Sequence, residues 1–204
     1  MKLYTSIGPN PRVVKMFLAE KGIDVERVEV DLRAGENRQA AYLAVNPAGQ
    51  TPALELESGA HLAEITAICE YLEEVTPNPP LIGTTAEERA VTRMWTRRVD
   101  LKICEPMANG FRFAEGLPMF ESRMRCLPEA APGLKAVAQD GLAWLEEGFQ
   151  GPWIAGGRFT LADILLFSFL DFGAAVGQPL DAGYAKVSDW FARVKARPSA
   201  AASA

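Results

Sequence analysis

Apolar positions in this chain come first in short blocks, then in long stripes at helical spacing. Residues 3–6 are short, apolar and followed by Gly8-Pro9, the pattern of a buried strand ending at a turn. Val13, Val14, Phe17 and Leu18 then recur at helical spacing. They predict a helix over residues 11–21, which Gly22 is placed to stop. Residues 25–32 (VERVEVDL) are rich in β-branched side chains, with Val28 and Val30 set between charges, and read as a second strand. A short helix follows over residues 37–45, and NPAGQTP at 46–52 breaks it. ALELE and AHLAE read as a hairpin turning at Ser58-Gly59. Ile65, Ile68, Leu72 and Val75 predict a helix over residues 64–74. The order is β-α-β-α-β-β-α, and its opening βαβ unit makes the first two strands parallel.

Pro77, Pro79 and Pro80 crowd the next stretch, which reads as a linker over 76–85 between a first domain, 1–75, and a second, 86–204. Strand alternation stops there. Residues 86–108 predict a long amphipathic helix, and 119–147 another, interrupted at Pro128 and Pro132. RFTLADILLFSFLDFG is apolar nearly all round, as a central buried helix would be. Within it Thr160 and Asp163 have the spacing of a capping box, with Phe159 and Ile164 at the staple positions; this is a folding signal. Residues 187–198 predict a closing amphipathic helix, and the small, polar SAAASA after it is expected to fray.

With 204 residues, 49% of them apolar and 23% charged, the composition is that of a globular protein. A formal net charge of −5 gives no reason to expect nucleic acid or an anionic membrane as partner. Cys69, Cys104 and Cys126 are odd in number and widely spaced, which fits packing residues in a reducing cytoplasm better than a disulfide frame or zinc site. His61 is the only histidine and has no triad or metal-ligand motif around it, so no metal is expected. No apolar run is long enough to span a membrane. Trp95, Phe111 and Phe113 are candidates to line an apolar pocket, although such residues more often build core.

Four motifs, in this order and at these separations, give the chain a likeness. NPAGQTPAL resembles the Asn-Pro-x-Gly-Lys/Gln-Val-Pro stretch of the cytosolic glutathione transferases, in which the second proline is cis. LAEITAICEYL resembles that family's Glu-Ser-x-Ala-Ile helix start, GGRFTLADI its capping box, and WFARVKARP its closing helix. The resemblance covers essentially the whole chain. It implies a thioredoxin-like N-terminal domain and an all-α C-terminal domain. It also implies glutathione as co-substrate, a small apolar electrophile or peroxide as second substrate, and a homodimer.

The resemblance also selects residues. Thr51 and Pro52 would offer backbone groups to the tripeptide. Gln50 and Asn37 would donate to its glycine carboxylate. Glu64, Ile65 and Thr66, at a helix N-terminus, would hold the γ-glutamyl carboxylate. Relatives carry Ser or Thr directly after the Glu; Ile65 brings no hydroxyl, and Thr66 lies ~100° further round the helix. The thiol contact is a second departure. The usual Ser/Thr place falls on Gly8, and GPNPR resembles the TPNG loop of bacterial nu-type members, where an Asn serves the thiol and disulfides or organic peroxides are reduced. Asn10 is therefore the first candidate, with Ser6 and Thr5 behind it. Asn10 is expected to cap the helix through Oδ1 while its NH₂ faces the thiol. Three functions stay open: a glutathione-dependent transferase or reductase, a non-catalytic binding or interaction module on the same fold, and specialised dehalogenase or isomerase chemistry.

Overall fold

The computed structural model describes all 204 residues, which gather into two units. One is Met1–Leu81 with Pro198–Ala204, and the other is Ile82–Arg197.

The first unit is built on a four-stranded mixed sheet in the order β2-β1-β3-β4. β1 (Lys2–Thr5) and β2 (Glu26–Glu29) are parallel, with Tyr4 beside Val28, and α1 (Pro9–Lys21) connects them. β3 (Ala53–Glu55) runs antiparallel to β1 and pairs Leu54 with Leu3. β4 (His61–Ala63) closes the hairpin, with Leu62 beside Leu54. Residues 37–45 form less helix than expected: a 3-10 turn at Glu36–Arg38, then the single turn α2 (Ala40–Leu43). α3 (Ile65–Val75) packs on α1. Its Ile68 and Leu72 are fully buried, as are Val13, Val14, Phe17 and Leu18 of α1. Val75, assigned to the same stripe, is exposed.

One feature of this unit lies outside the sequence reading and a second runs against it. Lys21, the last residue of α1, is buried in an ion pair with Glu73. Its ammonium donates to the Thr76 and Pro79 carbonyls at 2.8 and 2.7 Å, while Glu73 accepts from the Leu81 N–H at 3.2 Å. Hydrogen bonds to every partner are what make such a burial tolerable. The closing SAAASA is not frayed. It lies within α10 (Pro198–Ala202) and the residues after it, and α10 packs on α1. Arg12 donates to the Ala200 carbonyl and the Ser203 hydroxyl, and Ser199 donates to Glu20. Small side chains allow this close approach, and for the same reason carry no hydrophobic signal.

The second unit is all helical. The helix expected over 86–108 is divided into α4 (Ala86–Val99) and α5 (Glu105–Arg112) by a wide π-turn at Asp100–Cys104. There the Lys102 carbonyl lies so close to Gly141 that no Cβ would fit between them. The helix expected over 119–147 is likewise broken, into α6 (Leu117–Phe120), a 3-10 turn at Pro128–Ala130 and α7 (Ala131–Gly148). α8 (Leu161–Ala175) is buried without interruption from Leu161 to Leu170, and α9 (Ala185–Lys195) follows. The capping box forms, and Asp163 does more than cap. It accepts from the Thr160 N–H at 2.8 Å, the Ile154 N–H at 2.9 Å and the Trp190 indole N–H at 2.8 Å. No helix is long and apolar enough to cross a membrane.

Candidate functional site

Three segments named by the sequence reading meet at one end of the sheet of the first unit. Tyr4, Ala53 and Ala63 form a row across β1, β3 and β4. Two positions further along the same direction stand Ser6, Thr51 and Ile65. The Ser6 and Thr51 hydroxyls are 2.5 Å apart, which fixes this juxtaposition.

Ser6 is 3% exposed, and its hydroxyl also donates to the Ile7 carbonyl at 3.1 Å. Either hydroxyl can be the donor in the Ser6–Thr51 bond. The Ser6 hydroxyl therefore ties the end of β1 to Thr51. Thr5 is fully buried and its hydroxyl has no partner.

Asn10 is not the cap of α1. Gly8 holds that position at φ 115°, with no side-chain cap, and the helix starts at Pro9. Asn10 lies inside the first turn, half-buried, and its side-chain amide makes no hydrogen bond within the chain. Pro9 and Pro11 have no N–H, so Asn10 alone among the first three helical residues carries a backbone donor. Within the first three helical residues, the free donors, backbone and side chain, all belong to Asn10.

The loop before β3 is held from behind. The peptide bond between Thr51 and Pro52 is cis. The Thr51 N–H and C=O find no partner in the chain, whereas the two carbonyls before them are occupied. The Gly49 carbonyl accepts from Asn37 Nδ2 at 2.6 Å, and that of Gln50 from both Tyr42 Oη and Asn46 Nδ2 at 2.7 Å. Gly49 sits at φ 62°, where a Cβ would strike Arg38 and the Asn37 carbonyl. Asn37, expected to donate to the glycine carboxylate, is thus turned inward and 3% exposed. Gln50 is exposed and its side chain is unengaged. Burial pushes the Tyr42 hydroxyl up to about 12, so it stays a donor throughout the neutral range.

The third segment is the start of α3. Glu64 precedes it at φ 68°, the only non-glycine residue with a positive φ. Such a conformation costs about 1–3 kcal/mol and tends to collect at functional sites. No side chain caps this helix, and the first intrahelical bond is Ile68 N–H to the Glu64 carbonyl. The N–H groups of Ile65, Thr66 and Ala67 are left without a helical partner, at the positive end of the helix dipole. Ile65 is half-buried and Thr66 exposed.

The remaining candidates lie elsewhere. Burial pushes the Cys69 and Cys104 thiols well above their ordinary range, as inert packing residues require. His61 stands 3.8 Å from Glu55, which accepts the Tyr4 hydroxyl at 2.8 Å. No group of three or more His, Cys, Asp or Glu is placed to hold a metal ion. Trp95 packs on Trp144, while Phe111 stands edge-on to Phe120 and Phe172. Sequence reasoning missed Tyr42 and Asn46 as supports of the loop. An Asn ahead of Pro47 is a readable turn signal; nothing marked Tyr42.

Comparison with known proteins gives a consistent answer. Residues 7–75 match the family described as glutathione S-transferase, N-terminal domain, and residues 109–198 the corresponding C-terminal domain. The chain is 32% identical to glutathione S-transferase 2 of Saccharomyces cerevisiae, over 96% of this chain and 85% of that one. Its fold superposes on the crystal structure of Gtt2 from Saccharomyces cerevisiae with a TM-score of 0.92, at 31% identity and over 100% of both chains. A glutathione transferase homologue from Sulfitobacter, solved with bound glutathione, matches with a TM-score of 0.82 at 25% identity, over 98% of this chain and 95% of that one.

Proposed function

This chain belongs to the glutathione S-transferase family, and we propose that it ionises the thiol of glutathione for attack on an electrophile, with Asn10 as the principal thiol contact. The observation that carries the reading is the set of unclaimed donors around Thr51: its own backbone, the α3 amides and Asn10. Glutathione is an extended peptide with two carboxylates and one thiol. The Thr51 N–H and C=O pair with its backbone as a further strand would. The amides of Ile65 and Thr66 hold the γ-glutamyl carboxylate. The Gln50 amide is free for the glycine carboxylate, and Asn37 acts behind the loop.

The energetics are of the right size. Moving a thiol from about 8.5 to about 6.5 takes about 2.7 kcal/mol. One hydrogen bond to a charged partner contributes about 1.5–3 kcal/mol. In the reaction the thiol gives its proton to water and the sulfur bonds to the electrophilic centre. The leaving group departs with the pair of the broken bond. An activated aryl halide, a disulfide or an organic peroxide would each serve. The transferase names of the relatives favour an enzyme over a non-catalytic binding module. A cytoplasmic, homodimeric detoxification enzyme is the setting this reading expects. Calorimetry with reduced glutathione tests it: a micromolar-to-millimolar dissociation constant is expected. Absence of binding, together with no turnover of an activated aryl halide, would overturn it.

A further inference from the structure

We propose that Tyr42 is a positioning residue: its hydroxyl, together with the amides of Asn46 and Asn37, sets the height of the 49–51 backbone so that the Thr51 N–H and C=O meet the peptide part of glutathione. The proposal rests on the reading above and deepens it. The geometry that carries it is an asymmetry along three consecutive residues. The Gly49 and Gln50 carbonyls are both gripped from behind, the second by two donors at 2.7 Å, and the next backbone groups, those of Thr51, are left open. Three side-chain donors converge on two adjacent carbonyls of this loop.

The grip is rigid at its far end. Tyr42 is 5% exposed and stands edge-on to Tyr4 of β1, ring centroids 6.1 Å apart; Tyr4 is itself anchored by the bond to Glu55 on β3. The loop is thereby referenced to the sheet that also carries Ser6, which meets Thr51 from the other side. Asn37 adds a second sign. To reach Gly49 it buries an Oδ1 with no partner. An unpaired buried acceptor opposes folding, so the contact costs stability and is better understood as serving the loop's placement.

The discriminating variant is Tyr42→Phe, which keeps the ring and removes only the hydroxyl. Tyr184→Phe is the control: it removes a hydroxyl that donates to the Gln139 carbonyl and makes no bond to the loop. Both are assayed as intact chains by steady-state kinetics with glutathione varied, and by calorimetry. The expected result for Tyr42→Phe is a KM and a dissociation constant for glutathione raised about fivefold, the scale of one neutral hydrogen bond, with kcat within twofold of wild type. Tyr184→Phe should leave all three within twofold. A purely structural role would lower the melting temperature of both variants without separating KM from kcat. An unchanged KM in Tyr42→Phe, or an equal rise in Tyr184→Phe, overturns the proposal while wild-type binding stands. Absence of glutathione binding by the wild type would instead overturn the functional reading, and this inference with it.

Discussion

Helix starts in this protein solve the same chemical problem in opposite ways. At α8 a side chain closes the start: Asp163 takes the N–H groups of Thr160 and Ile154 and the Trp190 indole, all out of water. At α1 and α3 no side chain caps the helix, and the Asn10 amide and the first N–H groups of α3 are left open. Unsatisfied helix ends are normally closed by a side chain, by water or by a ligand. A helix closed by its own side chain contributes to stability, whereas one left open is available to an anion. The contrast sets a folding device beside the starts proposed above to bind glutathione.

The largest effect should come from destroying the closed start. Asp163→Ala leaves several buried donors unpaired, and a loss of about 3–5 kcal/mol in urea unfolding is expected. A loss below ~1 kcal/mol would remove Asp163 from the role given to it. Its carboxyl also makes the closed start sensitive to rising pH. Burial pushes it up to about 6, against an ordinary value of 3.8, although its hydrogen bonds pull the other way. Between those values the folded chain holds a proton that the unfolded chain has released. The contribution is therefore fully present below pH ~3.8 and is lost as the pH rises through about 6, by up to about 3 kcal/mol. Unfolding curves of wild type minus Asp163→Asn across that window isolate it; a difference that grows with pH would contradict the sign.

The open starts should behave in reverse. Asn10→Ala is expected to lower kcat/KM for glutathione about 10–100-fold, the loss of one charge-assisted donor. Stability should move by less than about 0.5 kcal/mol, because no cap bond is broken. A clear drop in melting temperature with unchanged kinetics would make Asn10 a folding residue after all. The smallest change sharpens the comparison further. Ile65→Ser supplies a hydroxyl at the start of α3, and a glutathione dissociation constant lowered about threefold to tenfold is expected from calorimetry, again one added hydrogen bond. No gain would mean that the carboxylate is held by backbone alone.

What was legible in the sequence was whatever large apolar side chains or local turn chemistry encode. The α1 stripe Val13, Val14, Phe17 and Leu18 is buried as its spacing required, and the Thr160–Asp163 box formed from its spacing alone. The misses have physical causes. Pro9 and Pro11 are equally acceptable at a first helical position, so the sequence could not say whether Asn10 capped the helix or lay within it. Asn37 reads as a polar surface residue until a carbonyl twelve residues away turns it inward. Lys21 gives no hint of burial, because its partner Glu73 and its carbonyl acceptors lie far along the chain.

The return of Pro198–Ala204 to α1 has a consequence for how the chain is made. The first unit is not one continuous stretch, so the ribosome delivers its sheet and α1 first, then the whole of Ile82–Arg197, and only afterwards the segment that covers Arg12 and Glu20. Until then this face of α1 is exposed to water and to other chains. A nascent chain stalled before Pro198 would carry a nearly finished first unit with one open seam, the situation in which chaperones bind and neighbouring chains mispair.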